Sequence, residues 1–403
     1  DDHRYLHTPD PEERSASNGG HRADYGGAVS LELADIFQLY GTEYRLKYGD
    51  RMLLSHIQAM LAIERCRTEA LGGKVYYCPA CVDQVGYVYH SCRNRHCPKC
   101  QNEQGQIWLE EQQALLLPVP YFMLTFTLPA GLREAASRNQ KLFYNLMFQA
   151  SAEAAQQLAR DPRFVGGQMG LIGILHTWTR NMAYHPHIHY LVPGGGLTKD
   201  GQWLLARHNF LLPVKVLSKL FRGKLHDALR KADLLKDIPA EVWQQDWVVH
   251  CKPVGDGRTA LKYLAPYVFR VAISNRRLIA LDDTGDMSTA QVTFQYRTSD
   301  TGQLKLCTLS VEAFIHRFLQ HVLPKGFVKV RYYGFFGSAV RPRLTVLRQQ
   351  LEASAPPLPD KQEQPDERPA RTPICPQCGK GMTLQRSLPR PRSVSPIPKC
   401  RSP

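Results

Sequence analysis

Between residues 78 and 100 the chain reads CPACVDQVGYVYHSCRNRHCPKC, with Cys78-x-x-Cys81 and Cys97-x-x-Cys100 set 15 residues apart. Two such turns bring four thiolates to the corners of a tetrahedron, a geometry that Zn²⁺ accepts without redox chemistry. The spacing predicts a small zinc-ribbon-like module over 74–105 with Cys78, Cys81, Cys97 and Cys100 as ligands. Cys92 or His96 stands as an alternative for one of them. A closed four-ligand site has no open position for substrate, so the chemistry is sought elsewhere in the chain. A further pair, Cys375-x-x-Cys378, has only Cys400 downstream as a visible partner. It reads either as a degenerate knuckle or as a site completed by a ligand the sequence does not identify.

The rest of the composition sets the scale. A chain of 403 residues with 43% hydrophobic and 22% charged residues is long enough for two or three domains with a real core. Lys and Arg number 51 against 36 Asp and Glu, a formal charge of +15 that suggests a polyanionic partner, nucleic acid or an anionic membrane surface. The longest apolar run, ALLLPVPYFMLTFTL at 114–128, is broken by Pro118 and Pro120 and is too short to span a bilayer as a helix. It reads as a buried strand, and no membrane partner is expected. The first residues are polar, without the apolar core of a secretory signal. A cytosolic protein is the expectation. Clustered C-x-x-C pairs in a large chain of that kind point to metal binding rather than disulfides.

The organisation follows from pattern changes along the chain. Residues 1–30 are rich in Gly, Ser, Pro and charge, which predicts a disordered leader. Apolar residues at intervals of three to four predict helices over 31–73, closed by Gly72-Gly73. After the cysteine module, 106–285 mixes strands (YFMLTFTLP, MGLIGILHTW, HIHYLVPGG) with helices at 134–160, 214–235 and 258–272. The stretch 286–345 reads as a hairpin and then a helix stopped by Pro324. From 346 to 403 a Pro-rich, charged segment carrying Cys375 and Cys378 reads as a solvated, disordered tail. The fold class expected is α+β.

Three histidines alternate in AYHPHIHYLVPGGGL, His185, His187 and His189. On a strand, His187 and His189 emerge on one face about 7 Å apart, a spacing at which two imidazoles can share an ion. His176, in the preceding apolar run, is placed to close a three-histidine site if the two runs pair; His185 is the alternative, although it precedes Pro186. An open divalent site of this kind suits polarising a phosphoryl oxygen. About 75 residues later comes TALKYLAPYVFRVAISNRRLI, where Tyr263 and Tyr267 would share a helix face, with Pro266 between them. Lys262, Arg270, Arg276 and Arg277 flank them. A phenol of pKa about 10 needs cations or a metal nearby to attack as phenolate.

Taken in order, CRNRHCPKCQ, LHTW, HPHIHYLVPGGGL, YLAPYVFRVAISNRRL and FIHRFLQHVLPKGFVKVRYYG resemble the rolling-circle, two-tyrosine transposases of bacterial insertion sequences, over roughly residues 35–340. The resemblance implies an HUH-class catalytic domain with an antiparallel sheet and flanking helices, preceded by a zinc-binding domain. It implies that His187 and His189 hold Mg²⁺ or Mn²⁺, with His176 added from the strand layout. It further implies that Tyr263 and Tyr267 attack single-stranded DNA at transposon ends through a 5′-phosphotyrosine, without ATP.

Arg93, Arg95 and Lys99 in the cysteine module, and Lys329 and Arg331 beside the aromatics of VKVRYYGFFG, extend the expected DNA-binding set. A basic face over an aromatic core explains the last group equally well. Two other readings stay open: a plasmid replication initiator or relaxase of the same chemistry, and a catalytically inactive zinc-containing DNA-binding protein.

Overall fold

The computed structural model describes residues 31–81, 84–100, 108–236, 238–259, 261–262, 268, 272–298, 301–353 and 372–391. The expected leader, Tyr263, Tyr267, Arg270 and Cys400 lie outside them. The fold is α+β, as expected.

Its centre is a five-stranded antiparallel sheet. In chain order its strands are β3 (Pro120–Thr127), β4 (Leu171–Trp178), β5 (Tyr184–Pro193), β8 (Val249–Asp256) and β12 (Val330–Tyr333), arranged β12-β4-β5-β3-β8. The period-two alternation of the strand sequences gives the sheet two different apolar faces. Phe122, Leu124, Phe126, Leu171, Leu175, Ile188, Tyr190 and Val192 form one. Helices α4 (Gln140–Ala159) and α5 (Val214–Lys231) cover that face. Tyr121, Met123, Ile172, Ile174 and Leu191 form the other, packed against Trp108, Leu261, Phe335, Phe336 and Leu344. Gly173 sits where a Cβ would lie 2.4 Å from the Tyr190 ring, so only glycine admits that aromatic. The helix expected over 134–160 is two: α3 (Arg133–Arg138) ends at Asn139, whose backbone leaves the helical region at φ −125, ψ 40, before α4 begins. A two-stranded ribbon, β6 (Gly195–Leu197) with β7 (Trp203–Leu205), follows β5.

A second core joins the amino-terminal helices to residues 272–322. Helices α1 (Leu33–Tyr48) and α2 (Leu54–Glu64) pack on the antiparallel sheet of β9 (Leu278–Asp282), β10 (Gln291–Arg297) and β11 (Leu304–Ser310), and on α6 (Val311–Leu319). Phe37 of α1 meets Phe318 of α6 edge-on, centroids 5.4 Å apart. The Ser310 hydroxyl caps α6 by accepting from the Ala313 amide at 3.2 Å. The hairpin and helix read from the sequence are therefore present, and they bury the amphipathic faces of the amino-terminal helices.

β1 (Gly73–Tyr77) and β2 (Val85–Tyr89) form a hairpin in the cysteine module. Part of the stretch expected as a tail is built into this unit: β13 (Thr383–Leu388) pairs with β1, Gly73 opposite Leu388 and Tyr77 opposite Thr383. Helix α7 (Arg343–Ala353) also runs into that stretch, from residue 346 onward. Among the described residues no helix is long and apolar enough to cross a membrane.

Candidate metal centre and nucleic-acid site

β4 and β5 pair so that His176 stands opposite His187 and Ile174 opposite His189. The alternation then sends all three imidazoles to the face that carries Ile172, Ile174 and Leu191. Their ring centroids are 5.2 Å (His176 to His187), 4.8 Å (His176 to His189) and 4.9 Å (His187 to His189) apart, and one nitrogen from each lies within 4.8 Å of the others. His185 is not in this group; its Nδ1 accepts from the Arg133 guanidinium at 2.7 Å.

Neighbouring groups orient the rings. His187 Nδ1 donates to the His185 carbonyl at 2.7 Å, which turns Nε2 toward the cluster as a ligand atom. His189 Nδ1 is 2.9 Å from the Thr125 hydroxyl of β3, a second outer contact of the same kind. Burial pushes His187 down to about 4, and burial with the neighbouring His187 pushes His189 down to about 3. His176 is also lowered well below its usual range, by burial and then by His189, His187 and Lys329. All three are neutral at pH 7, as metal ligation requires. Three converging neutral imidazoles could hold a divalent metal ion, with coordination positions left for substrate.

Two described residues, Leu261 and Val268, bracket Tyr263 and Tyr267 in the chain. Leu261 belongs to the buried cluster that includes Ile172, Ile174 and Leu191, and Val268 packs against that cluster, which lies on the histidine face of the sheet. The Val268 carbonyl accepts from Lys329 Nζ at 3.2 Å. That ammonium lies 4.9 Å above the Trp178 ring, which stacks on His176 with centroids 5.6 Å apart. Burial, and then Arg95, push Lys329 down to about 7.

The cysteines do not group as the sequence spacing suggests. The structure separates Cys78 and Cys81 from Cys97 and Cys100, and forms two sets of four: Cys66, Cys92, Cys97 and Cys100, and Cys78, Cys81, Cys375 and Cys378. The reason is the β1–β2 hairpin, which places the first C-x-x-C turn at its tip and the second beyond its base. In the first set, Cys66 Sγ is 3.5 Å from Cys100 Sγ, and Cys92 Sγ is 3.6 Å from it. The Cys100 thiol is held far below its usual range by the thiols of Cys66, Cys92 and Cys97. Cys92 is thus a group member rather than a substitute, and Cys66, which closes the run after α2, was missed because it belongs to no C-x-x-C pair. His96 is not a member: its Nε2 accepts from the Leu323 amide at 3.1 Å, and its Nδ1 faces Asn94 Oδ1 at 3.2 Å.

The basic residues expected at DNA divide. Arg93, Arg95, Lys262 and Arg276 are exposed. Arg95 donates to the Phe327 carbonyl at 2.8 Å, and Lys99 pairs with Glu32. Arg277 donates to the Gln295 and Ala272 carbonyls and lies over the Phe294 ring. Arg331 bonds Asn145 and lies 4.4 Å from the Phe148 ring centroid. Phe335 and Phe336 are fully buried, so this aromatic stretch builds core.

Comparisons with known proteins agree with this layout. Residues 36–128 match the family model described as "Transposase zinc-binding domain", and residues 170–343 match one described as "Putative transposase". The chain is 39% identical over 360 residues to the protein described as "Putative transposase y4qJ" of Sinorhizobium fredii, covering 83% of this chain and 88% of that one. It is 28% identical over 301 residues to the "Transposase for insertion sequence element IS801" of Pseudomonas savastanoi pv. phaseolicola, covering 70% of this chain and 71% of that one. No solved structure matches. With a zinc-binding domain ahead of a transposase domain, and with a relative of this similarity over most of both chains, the protein belongs to the family of insertion-sequence transposases.

Proposed function

We propose that this transposase nicks and rejoins single-stranded DNA at transposon ends, by a rolling-circle route, through Tyr263 and Tyr267. One observation carries the reading: His176, His187 and His189 converge on the same sheet face as Leu261 and Val268, the residues that flank the tyrosine segment. In the cleavage step a tyrosine oxygen bonds to the scissile phosphorus as the bond from phosphorus to the 3′ oxygen breaks. The phenol gives up its proton and the 3′ oxygen gains one, leaving a 5′-phosphotyrosine and a free 3′-hydroxyl. The reverse attack by a 3′-hydroxyl restores the phosphodiester, so no ATP is consumed. His176, His187 and His189 would hold Mg²⁺ or Mn²⁺, which when bound would polarise a phosphoryl oxygen.

The chain's own contribution is positional and electrostatic. Burial keeps the imidazoles neutral, Thr125 and the His185 carbonyl fix two of the rings, and the sheet holds the tyrosine flanks in place. Exposed Lys262, Arg276 and Arg93 offer positive charge to the DNA backbone. A cytoplasmic site of action beside the nucleoid follows from such a substrate.

The test is incubation of the full chain with labelled single-stranded oligonucleotides from the ends of its own element, with and without Mn²⁺. A denaturation-resistant protein–DNA adduct, lost in the Tyr263→Phe/Tyr267→Phe double variant, is the expected result. An adduct that survives in that variant would sink the assignment of the nucleophile. DNA binding with no adduct under any metal would favour a catalytically inactive binding protein.

A further inference from the structure

The set Cys78, Cys81, Cys375 and Cys378 joins parts of the chain about 300 residues apart, and its two halves share one local sequence, CPAC and CPQC. Neither family match includes Cys375 or Cys378: the zinc-binding domain match stops at residue 128 and the transposase match at 343. We propose that these four cysteines hold a second, structural Zn²⁺ that clasps the carboxy-terminal segment 372–391 to the amino-terminal cysteine module.

The geometry fits the ion. Zn–S bonds of about 2.3 Å in a tetrahedron place the sulfurs about 3.8 Å apart. Cys78 Sγ is 3.5 Å from Cys378 Sγ, and all four sulfurs lie within 4.8 Å of one another. A disulfide needs about 2.05 Å, so no pair among them is bonded. Both halves are backbone turns that present their sulfurs inward. The Cys78 amide donates to Gln84 O at 2.9 Å and the Gln84 amide to Cys81 O at 3.2 Å. The Cys375 amide donates to Lys380 O at 2.8 Å and the Gly379 amide to Cys375 O at 2.9 Å, with Gly379 at φ +72 closing the turn.

The packing shows why an ion is needed. Cys78, Cys375 and Met382 are the buried residues of this cluster, with Tyr76 and Cys81 at its margin. The side chains of β13 are almost all exposed. So little apolar surface cannot hold a strand in place by burial, and small modules of this kind rely on a metal or cross-link. The strand is nevertheless seated closely: a Cβ at Gly72, which has φ +66, would lie 2.5 Å from the Leu388 carbonyl oxygen. Coordination by four thiolates supplies what the core lacks. The clasp also brings Arg390 and Leu388 beside His90 and Arg93, forming a cleft next to the first cysteine group.

The test is cobalt substitution of the purified full chain. Sulfur-to-cobalt charge-transfer intensity counts thiolate bonds and does not respond to cobalt at the histidine site. Two groups of four predict eight such bonds in the wild-type chain. The Cys375→Ser/Cys378→Ser variant is expected to lose the four-thiolate signal of one site, and Cys251→Ser, outside both groups, to lose none. A wild-type signal equal to one four-thiolate site would overturn the proposal whether or not the variant folds. So would an undiminished signal in the double variant.

Discussion

His176 on β4 faces His187 on β5 across the antiparallel pair, its ring centroid 5.2 Å from that of His187 and 4.8 Å from that of His189. Both distances are within a few tenths of an ångström of the 4.9 Å between its partners, and its loss should therefore resemble the loss of either. His176→Ala is expected to weaken Mn²⁺ binding by roughly 10²-fold or more, above the loss typical of outer-shell changes. Calorimetric titration of the variant beside His187→Ala and His189→Ala measures this. Unchanged affinity in His176→Ala alone would reduce the site to two ligands.

The pH dependence of the same site follows from its burial. His187 and His189 titrate near 4 and 3 when folded, against about 6.5 for an exposed imidazole. Protons therefore do not compete with the metal until the pH approaches 4, and Mn²⁺ affinity should be nearly flat from pH 7.5 to 5.5. The unfolded chain takes up these protons near 6.5 and the folded chain does not, so the stability they contribute is present above 6.5 and is lost as the pH falls toward 4. Affinity dropping steeply just below 6.5 would show that the imidazoles are solvated.

Thr125 tests the outer contact. Its hydroxyl lies 2.9 Å from His189 Nδ1, from the neighbouring strand β3. Thr125→Val keeps the shape and removes the bond. A loss of about 10–100-fold in Mn²⁺ affinity is expected, with little change in the folded circular dichroism spectrum. Affinity equal to wild type would mean that packing alone orients His189.

How far the sequence carried these conclusions depended on distance along the chain. The alternation of His187 and His189, and the apolar runs of β3, β4 and β5, are local signals that survive folding intact. The face shared with Leu261 follows from the same alternation, but only once the strand order is known. The cysteine partners were not legible, because the choice between Cys97 and Cys375 as a companion for Cys78 is made by β13 pairing with β1 across the length of the protein. Charge left the role of a residue open for a different reason. Arg331 and Lys329 look like DNA contacts in sequence, yet their stems and cations are used over Phe148 and Trp178 inside the fold.

Lys329 ties the histidine cluster to Val268, the residue after Tyr267 in the chain, since its ammonium donates to the Val268 carbonyl at 3.2 Å and sits over the Trp178 ring that stacks on His176. Its pKa is pushed down to about 7, against about 10.4 in an unfolded chain. Between those values the unfolded state binds more protons, so this group makes stability rise with pH from about 7 to 10. Lys329→Met should remove that rise, visible as urea midpoints that differ more from wild type at pH 7 than at pH 9.5. The same change should slow adduct formation, on the order of 10²-fold if the tyrosine segment shifts, while Mn²⁺ affinity stays close to wild type. That combination marks a positioning residue. A variant with the altered pH profile and undiminished adduct formation would leave Lys329 a purely structural cation.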